Sequence, residues 1–242
     1  MRLAIIGYGK MGKEIERLAL ERGMQVTLKL DSKNTSISDK SYAFDVAVHF
    51  ATPAAVVSHV EQCVKAKKNL VVGTTGWSKD LSKVQSLVKA GDIGVIHASN
   101  FSVGVNVFFR IMNLAGQLFN NLEDYDVAVQ EIHHKDKADS PSGTALKIAD
   151  VLMQTMKRKK KILSTPLSGK IKANQLQVTS TRTGAVVGTH TVLFDSPSDS
   201  IEFVHTARNR LGFALGALLA AQWIQGKKGM FTMEDVLATN LK

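Results

Sequence analysis

Cysteine is nearly missing from this chain. Cys63 is the only one in 242 residues, so no internal disulfide can form and a reducing compartment, the cytoplasm, is expected. Long apolar runs are missing too. The opening run at residues 3–6 stops at once in glycines, which argues against a secretory signal. The uncharged stretch 211–226 holds three glycines and two glutamines, short of the roughly 18 apolar residues of a membrane span. Acidic residues are in deficit, 21 against 31 lysines and arginines, and the net charge of +10 favours anionic partners. Nucleic acid finds little support among them. The densest basic run, 157–161, has no interleaved aromatics and no DNA-binding motif, and it reads as a solvated helix end. What is present, 44% hydrophobic and 21% charged residues, is the composition of a globular protein of one large or two modest domains.

Short apolar runs at 3–6, 25–30, 45–50, 69–72 and 93–98 alternate with helical spacing at 10–22, 54–67 and 81–90. This β-α-β alternation predicts a parallel sheet with helices on both faces. After Phe101 the pattern changes to a helix at 105–119, a strand at 125–132 and a helix at 144–156. Three strand-like stretches follow at 174–180, 185–194 and 201–207, divided by turn signals at Thr183-Gly184 and Asp195-Ser196-Pro197-Ser198. Their short connections predict antiparallel pairing and an α+β domain with an open mixed sheet. The helix at 213–225 is apolar on nearly every face and is expected to be buried in the first domain. The expected organisation is α/β: a discontinuous dinucleotide-binding domain, 1–103 with 211–242, and a substrate-binding and oligomerisation domain, 104–210.

Gly7-Tyr8-Gly9-Lys10-Met11-Gly12 is a G-x-G-x-x-G that follows a strand and opens a helix. In that setting the first glycine permits the tight turn, the second lets a pyrophosphate reach the backbone, and the third lets helix pack on strand. The helix N-terminus offers unpaired N–H groups to the phosphates, as in a Rossmann-type domain. Asp31 stands 19 positions beyond Gly12, near the offset at which an acidic residue meets the adenosine ribose hydroxyls of NADH. Lys33 lies two residues on and suits a 2′-phosphate, so the choice between NADH and NADPH stays open.

The second constellation runs from Glu131 to Ala145 and leaves a strand to enter a helix. Ser142 is placed to cap that helix, and Gly143 and Thr144 would present first-turn N–H groups and a hydroxyl to an anion. His133, His134, Lys135 and Lys137 add positive charge and a group that titrates near neutrality. A proton donor beside a carboxylate cradle suits a reduction that delivers hydride and proton. Adjacent histidines are poorly spaced for shared ligation and no cysteine or carboxylate motif completes a set, so no metal is expected.

Here the sequence resembles the dihydrodipicolinate reductase family. The matching positions are Glu131, His133, His134, Lys137, Asp139, Pro141, Ser142, Gly143, Thr144 and Ala145. Gly73-Thr74-Thr75-Gly76, the stretch from Asn100 to Asn106, Arg182-x-Gly184-x-x-Gly188-x-His190 and Met233-Glu234-Asp235-Val236-Leu237 agree in order, so the resemblance spans essentially the whole chain. It implies reduction of a cyclic unsaturated dicarboxylate with NADH or NADPH in the diaminopimelate route to lysine, with hydride to ring C4 and a proton to C3. His133 sits where the family places its general acid, and Lys137 where it places a catalytic or carboxylate-binding lysine. His134, Gly143 and Thr144 occupy substrate-carboxylate positions. Gly73, Thr74, Thr75, Ala98, Ser99, Asn100 and Phe101 fall where the family lines its nicotinamide pocket. A homotetramer joined through second-domain sheets is the implied assembly, while the composition and motifs above lead to no nucleic acid and no membrane as partner. Two departures touch cofactor preference alone: only 13 residues separate Asp31 from Asp45, and the ribose-binding acid is Asp where Glu is commoner. Another amino-acid dehydrogenase and a redox-sensing regulator are the competing readings. The His-His-x-x-Lys segment with Pro-Ser-Gly-Thr counts against the first, and the absence of a recognition-helix motif against the second.

Overall fold

The computed structural model describes residues 1–34, 36–37, 43–165 and 169–240. In chain order come β1 (Arg2–Ile6), α1 (Lys10–Glu21), β2 (Gln25–Leu30), β3 (Val46–His49), α2 (Val56–Ala66), β4 (Asn69–Val72), α3 (Leu81–Gly91) and β5 (Gly94–His97). Next are α4 (Val103–Phe119), β6 (Asp126–His133), α5 (Gly143–Thr155), β7 (Lys161–Leu163), β8 (Gln175–Arg182), β9 (Gly188–Asp195) and β10 (Ser200–Ala207). The chain closes with α6 (Leu211–Trp223), β11 (Gly229–Phe231) and α7 (Met233–Asn240). Two compact units result: Met1–Val103 with Arg210–Lys242, and Gly104–Asn209.

The first unit is a six-stranded sheet in the order β11-β5-β4-β3-β1-β2, parallel throughout. Its inner strands are continuous apolar runs because helices cover both faces: Leu3, Ile5, Val46, Val48 and Val71 are all fully buried. Edge strand β2 alternates exposed and covered residues instead. Cys63 belongs to this core, where burial pushes its thiol up to about 12. This is a Rossmann-type α/β architecture.

The second unit is a mixed sheet in the order β10-β9-β6-β8-β7. β9 and β10 form the expected antiparallel hairpin, but β8 and β9 do not pair. β6 lies between them, antiparallel to β9 and parallel to β8. The reason is α5: a strand, a helix and a return make a βαβ unit, which brings β8 back parallel to β6. The link 183–187 then steps over one strand rather than turning a hairpin. It is fixed to the end of β6 by hydrogen bonds from the Thr183 amide to the His133 carbonyl (2.9 Å) and from the Lys135 amide to the Gly184 carbonyl (3.3 Å). On one sheet face α4 and α5 bury Phe108, Met112, Phe119, Ile148 and Leu152 against Val127, Val129, Val178 and Phe194.

The basic run differs from the expected solvated helix end. Arg158 Nη1 donates to the carbonyls of Phe119 and Asn120, both at 2.7 Å, and so caps α4. Lys159 is 2% exposed and donates to the carbonyls of Ala173 (2.9 Å) and Gln175 (2.8 Å) and to the Asp126 carboxylate. These charges tie strand ends together, a role that depends on contacts made far along the chain.

Candidate active site

The first cluster forms where β1 and β2 end. The amides of Gly7 and Tyr8 donate to the Leu30 carbonyl at 2.9 and 3.0 Å, closing the turn into α1. Gly7 adopts φ +95°, and a Cβ there would stand 2.2 Å from the Phe50 carbonyl oxygen. At Gly12 a Cβ would meet the Gly7 carbonyl at 2.4 Å, so helix and strand approach closely. Gly9 is the N-cap of α1, and its Cβ position faces open space. No acidic residue occupies the first turn. A cavity of about 400 Å³ opens here, lined by Gly7, Tyr8, Gly9, Asp31, Ser32 and Thr52 among others. Free N–H groups at an uncapped helix start, with room in front of Gly9, fit a dinucleotide pyrophosphate. Lys10 and Met11 lie in that first turn. Asp31 Oδ1 accepts the amides of Lys33 (2.8 Å) and Asn34 (3.0 Å), which hold its carboxyl below the usual range, while its second oxygen takes no part in this turn. The neighbouring span reaches residues 38–42, which lie outside the described residues.

A second cavity of about 150 Å³ in the same unit is lined by Thr74, Thr75, Trp77, His97, Ala98 and Ser99 among others. Thr74, Thr75, Ala98 and Ser99 therefore come together, as grouped from the sequence. Other members of that group serve packing. A Cβ on Gly73 would stand 2.2 Å from the Phe50 ring, and Phe101 is 2% exposed. Asn100 Oδ1 accepts the Ser102 amide at 2.8 Å. The Thr74 hydroxyl turns inward to His49 Nδ1 (2.8 Å) and the Ala51 amide (3.0 Å). His49 Nε2 in turn meets His59 Nδ1 at 3.1 Å. Burial, then the neighbouring His59, pulls His49 down to about 3.

The second unit builds its cluster by register. Alternate residues of β6 face the helices, and successive layers run Val127, Val129, Glu131, His133. Glu131 stands level with His190 on β9 and Ser180 on β8, and His133 level with Arg182. The sheet face thus changes from an apolar core to a charged cluster within four residues. Glu131 is fully buried; its Oε1 accepts from the Ser142 amide (2.9 Å), Ser180 Oγ (2.8 Å) and Arg182 Nη2 (2.8 Å). Burial pushes this carboxyl up, but hydrogen bonds from Ser142, Arg182 and Ser180 outweigh it and hold the group at about 2. His133 Nδ1 lies 3.1 Å from Glu131 Oε2, and the His190 ring stands edge-on to His133 with centroids 5.2 Å apart. Burial pulls His133 below its ordinary value, Glu131 and Asp139 oppose this, and Lys137 and Arg182 reinforce it. His190 falls to about 4, chiefly by burial and then by His133.

Ser142 caps α5, its hydroxyl accepting the Ala145 amide at 3.2 Å. Gly143, next in the chain, faces open space at its Cβ position, and its backbone at the helix N-terminus engages the Asp139 carboxylate, the kind of anion such an end favours. Lys137 is paired with Asp139 at 2.6 Å, and Arg182 donates to the carbonyls of Lys137 (3.3 Å) and Asp139 (2.5 Å), pinning this loop to Glu131. His134 and Thr144 are partly exposed on the same segment. Arg182, Ser180 and His190 were given no role by sequence reasoning. The signal that finds them is the alternation along β6 combined with the register to β8 and β9.

Ligand atoms of Glu131, His133 and His190 all lie within 4.8 Å of one another, the spacing of a metal set. The Arg182 guanidinium on the same carboxylate opposes a cation there, so the group reads as an ion network.

Residues 1–101 match the family profile described as dihydrodipicolinate reductase, N-terminus, and residues 104–237 match the one described as its C-terminus. The chain is 40% identical to the 4-hydroxy-tetrahydrodipicolinate reductase of Christiangramia forsetii over 242 residues, the full length of both. It is 36% identical to the protein of the same name from Neisseria meningitidis, over 93% of this chain and 84% of that one. Among solved structures, a dipicolinate-bound dihydrodipicolinate reductase from Paenisporosarcina sp. TG-14 superposes with a TM-score of 0.78 at 25% identity, over 96% of this chain and 97% of that one. A probable dehydrogenase from Thermotoga maritima, at 12% identity and a TM-score of 0.59, shares the fold alone.

Proposed function

The chain belongs to the dihydrodipicolinate reductase family, and from that premise we propose how its two units divide the reaction. It is an NAD(P)H-dependent oxidoreductase, a 4-hydroxy-tetrahydrodipicolinate reductase of diaminopimelate and lysine synthesis. Met1–Val103 with Arg210–Lys242 binds the cofactor, and Gly104–Asn209 binds the cyclic dicarboxylate. When bound, the dihydronicotinamide supplies a hydride to ring C4. Gly7, Gly9 and Gly12 hold the pyrophosphate on backbone N–H groups, with Tyr8, Lys10 and Met11 in the same loop. Asp31 meets a free ribose hydroxyl while Lys33 tolerates a 2′-phosphate, so both cofactor forms are used. Gly73, Thr74, Thr75, Ala98, Ser99, Asn100 and Phe101 shape the nicotinamide end.

In the second unit the α5 N-terminus at Gly143 and Thr144, with His134, receives a substrate carboxylate. Lys137 exchanges Asp139 for that carboxylate, since an incoming anion competes for the same ammonium. His133 gives its proton to C3. The observation that carries this reading is a buried histidine at the end of β6, 3.1 Å from a buried carboxylate, followed by a loop whose Asp139 carboxylate meets both the Lys137 ammonium and the Gly143 amide at the start of α5. Burial lowers the affinity of His133 for a proton, and a dianionic substrate raises it again, so the donor is charged when it is needed.

Leu193 and Val204 are 37% and 53% exposed on the sheet face away from the helices, an apolar face suited to another copy. A homotetramer built on it is the proposed assembly, and sedimentation of a monomer would end that idea. No helix among the described residues is long and apolar enough to cross a membrane. With a single, buried cysteine, the cytoplasm is the proposed location. Following cofactor absorbance with freshly generated substrate tests the activity itself. Consumption of NADH or NADPH that depends on the dicarboxylate is expected; cofactor consumption indifferent to it would overturn the reading.

A further inference from the structure

Glu131 is the only acidic side chain among the described residues that is buried, and in the proposed reaction it neither holds the substrate nor gives it a proton. Its two oxygens have different surroundings. Oε1 accepts three hydrogen bonds, from the Ser142 amide, Ser180 and Arg182. Oε2 is buried and accepts none, and it lies 3.1 Å from His133 Nδ1, which is likewise buried without a hydrogen-bond partner. Two orphaned polar atoms facing each other at ion-pair distance need only a proton on Nδ1 to satisfy both. His190 Nε2, at 3.7 Å, is the other nitrogen near Oε2.

We propose that Glu131 is the positioning residue for the proton donor: it holds a proton on Nδ1 of His133, so that the proton given to substrate leaves from Nε2. This rests on His133 as the donor. The imidazolium carries a proton on each nitrogen; Glu131 keeps the one on Nδ1, the bond from Nε2 to hydrogen breaks, and the neutral Nδ1–H tautomer remains. Two further observations fit. A Cβ on residue 188 would stand 2.8 Å from His133 Nε2, on the atom that gives up the proton, and glycine leaves that place clear. Arg182, Ser180 and the α5 N-cap together keep the carboxylate anionic, and the same N-cap lies beside Gly143. The charged and titratable groups around His133 are Glu131, Asp139, Lys137, Arg182 and His190. Of these the two acids favour the imidazolium, and Asp139 is itself engaged by Lys137.

The test is Glu131→Gln, read by NMR of the His133 imidazole nitrogens across pH and by the pH profile of kcat in the full chain. In the native protein neutral His133 should be the Nδ1–H tautomer. In the variant the titration should move down by about one pH unit or more, a tenfold loss of imidazolium above its pKa. The alkaline limb of kcat should move with it while KM changes less than about threefold. Glu131→Asp keeps the counter-charge for Arg182 but withdraws the carboxylate from Nδ1. It should show a smaller downward shift, and it serves if Glu131→Gln does not fold. An unmoved His133 titration and tautomer in whichever variant folds overturns the proposal. A moved titration with an unmoved kcat limb upholds the link between Glu131 and His133 and removes His133 as the donor.

Discussion

The loop at Gly7 to Gly12 and the cluster around Glu131 are both sites for anionic ligands, yet they are built from different materials. The first is made of backbone. Its ligand groups are amides at a helix start, and its glycines matter through the Cβ atoms they lack. The second is made mainly of side chains from β6, β8 and β9, with the Ser142 amide at the cap of α5, assembled by register and held by charge. A backbone site fails through shape, and a side-chain site fails through protonation.

Glycine substitutions separate the two modes most forcefully. Gly7→Ala places a Cβ 2.2 Å from the Phe50 carbonyl in a left-handed backbone, strain of about 1–3 kcal/mol before the clash is counted. Loss of measurable NADH binding together with a lowered Tm is expected by calorimetry. Gly9→Ala meets no protein atom within 4 Å, so Tm should hold while NADH affinity falls at least tenfold. Native affinity in Gly9→Ala would break the claim that phosphate approaches there.

Acid should reveal the smaller electrostatic contributions in both units. His49 and His190 fall to about 3 and about 4 in the folded protein, against an unfolded value of 6.5. Below 6.5 the unfolded chain therefore binds more protons, and stability is lost as pH falls toward each folded value. From pH 6.5 to about pH 5 each histidine removes on the order of 2 kcal/mol. Urea unfolding at the two pH values checks this, and His49→Gln should flatten the dependence. An equal loss in that variant would place the acid sensitivity elsewhere.

Legibility in the sequence follows the same division. The glycine loop occupies six consecutive residues whose neighbours already announce strand and helix, so both its fold and its ligand class could be read directly. Ser142 as a helix cap was equally local. The Glu131 cluster was not local: Ser180 and Arg182 reach it only because β8 runs parallel to β6, a pairing that the short link 183–187 disguised as a hairpin. Short strands also escaped notice. Three-residue β7 and β11 carry too few side chains to show a period, and each forms only where a longer strand templates it. Lys159 misled for the opposite reason: lysine is seldom buried, and only the carbonyls of residues 173 and 175 with Asp126 make its burial possible.

In the proposed reaction the proton donor and the carboxylate anchor are separate residues of the second unit. Steady-state kinetics of His133→Gln and Lys137→Ala, each paired with inhibition by a planar pyridine dicarboxylate, tests this most directly. His133→Gln should lower kcat by about 10²–10⁴-fold with a smaller change in KM and nearly native inhibitor affinity. Lys137→Ala should raise KM and weaken the inhibitor by roughly one to two decades, the worth of a charge-assisted bond. A kcat as low in Lys137→Ala as in His133→Gln, with inhibitor affinity intact, would make Lys137 the donor and contradict the account.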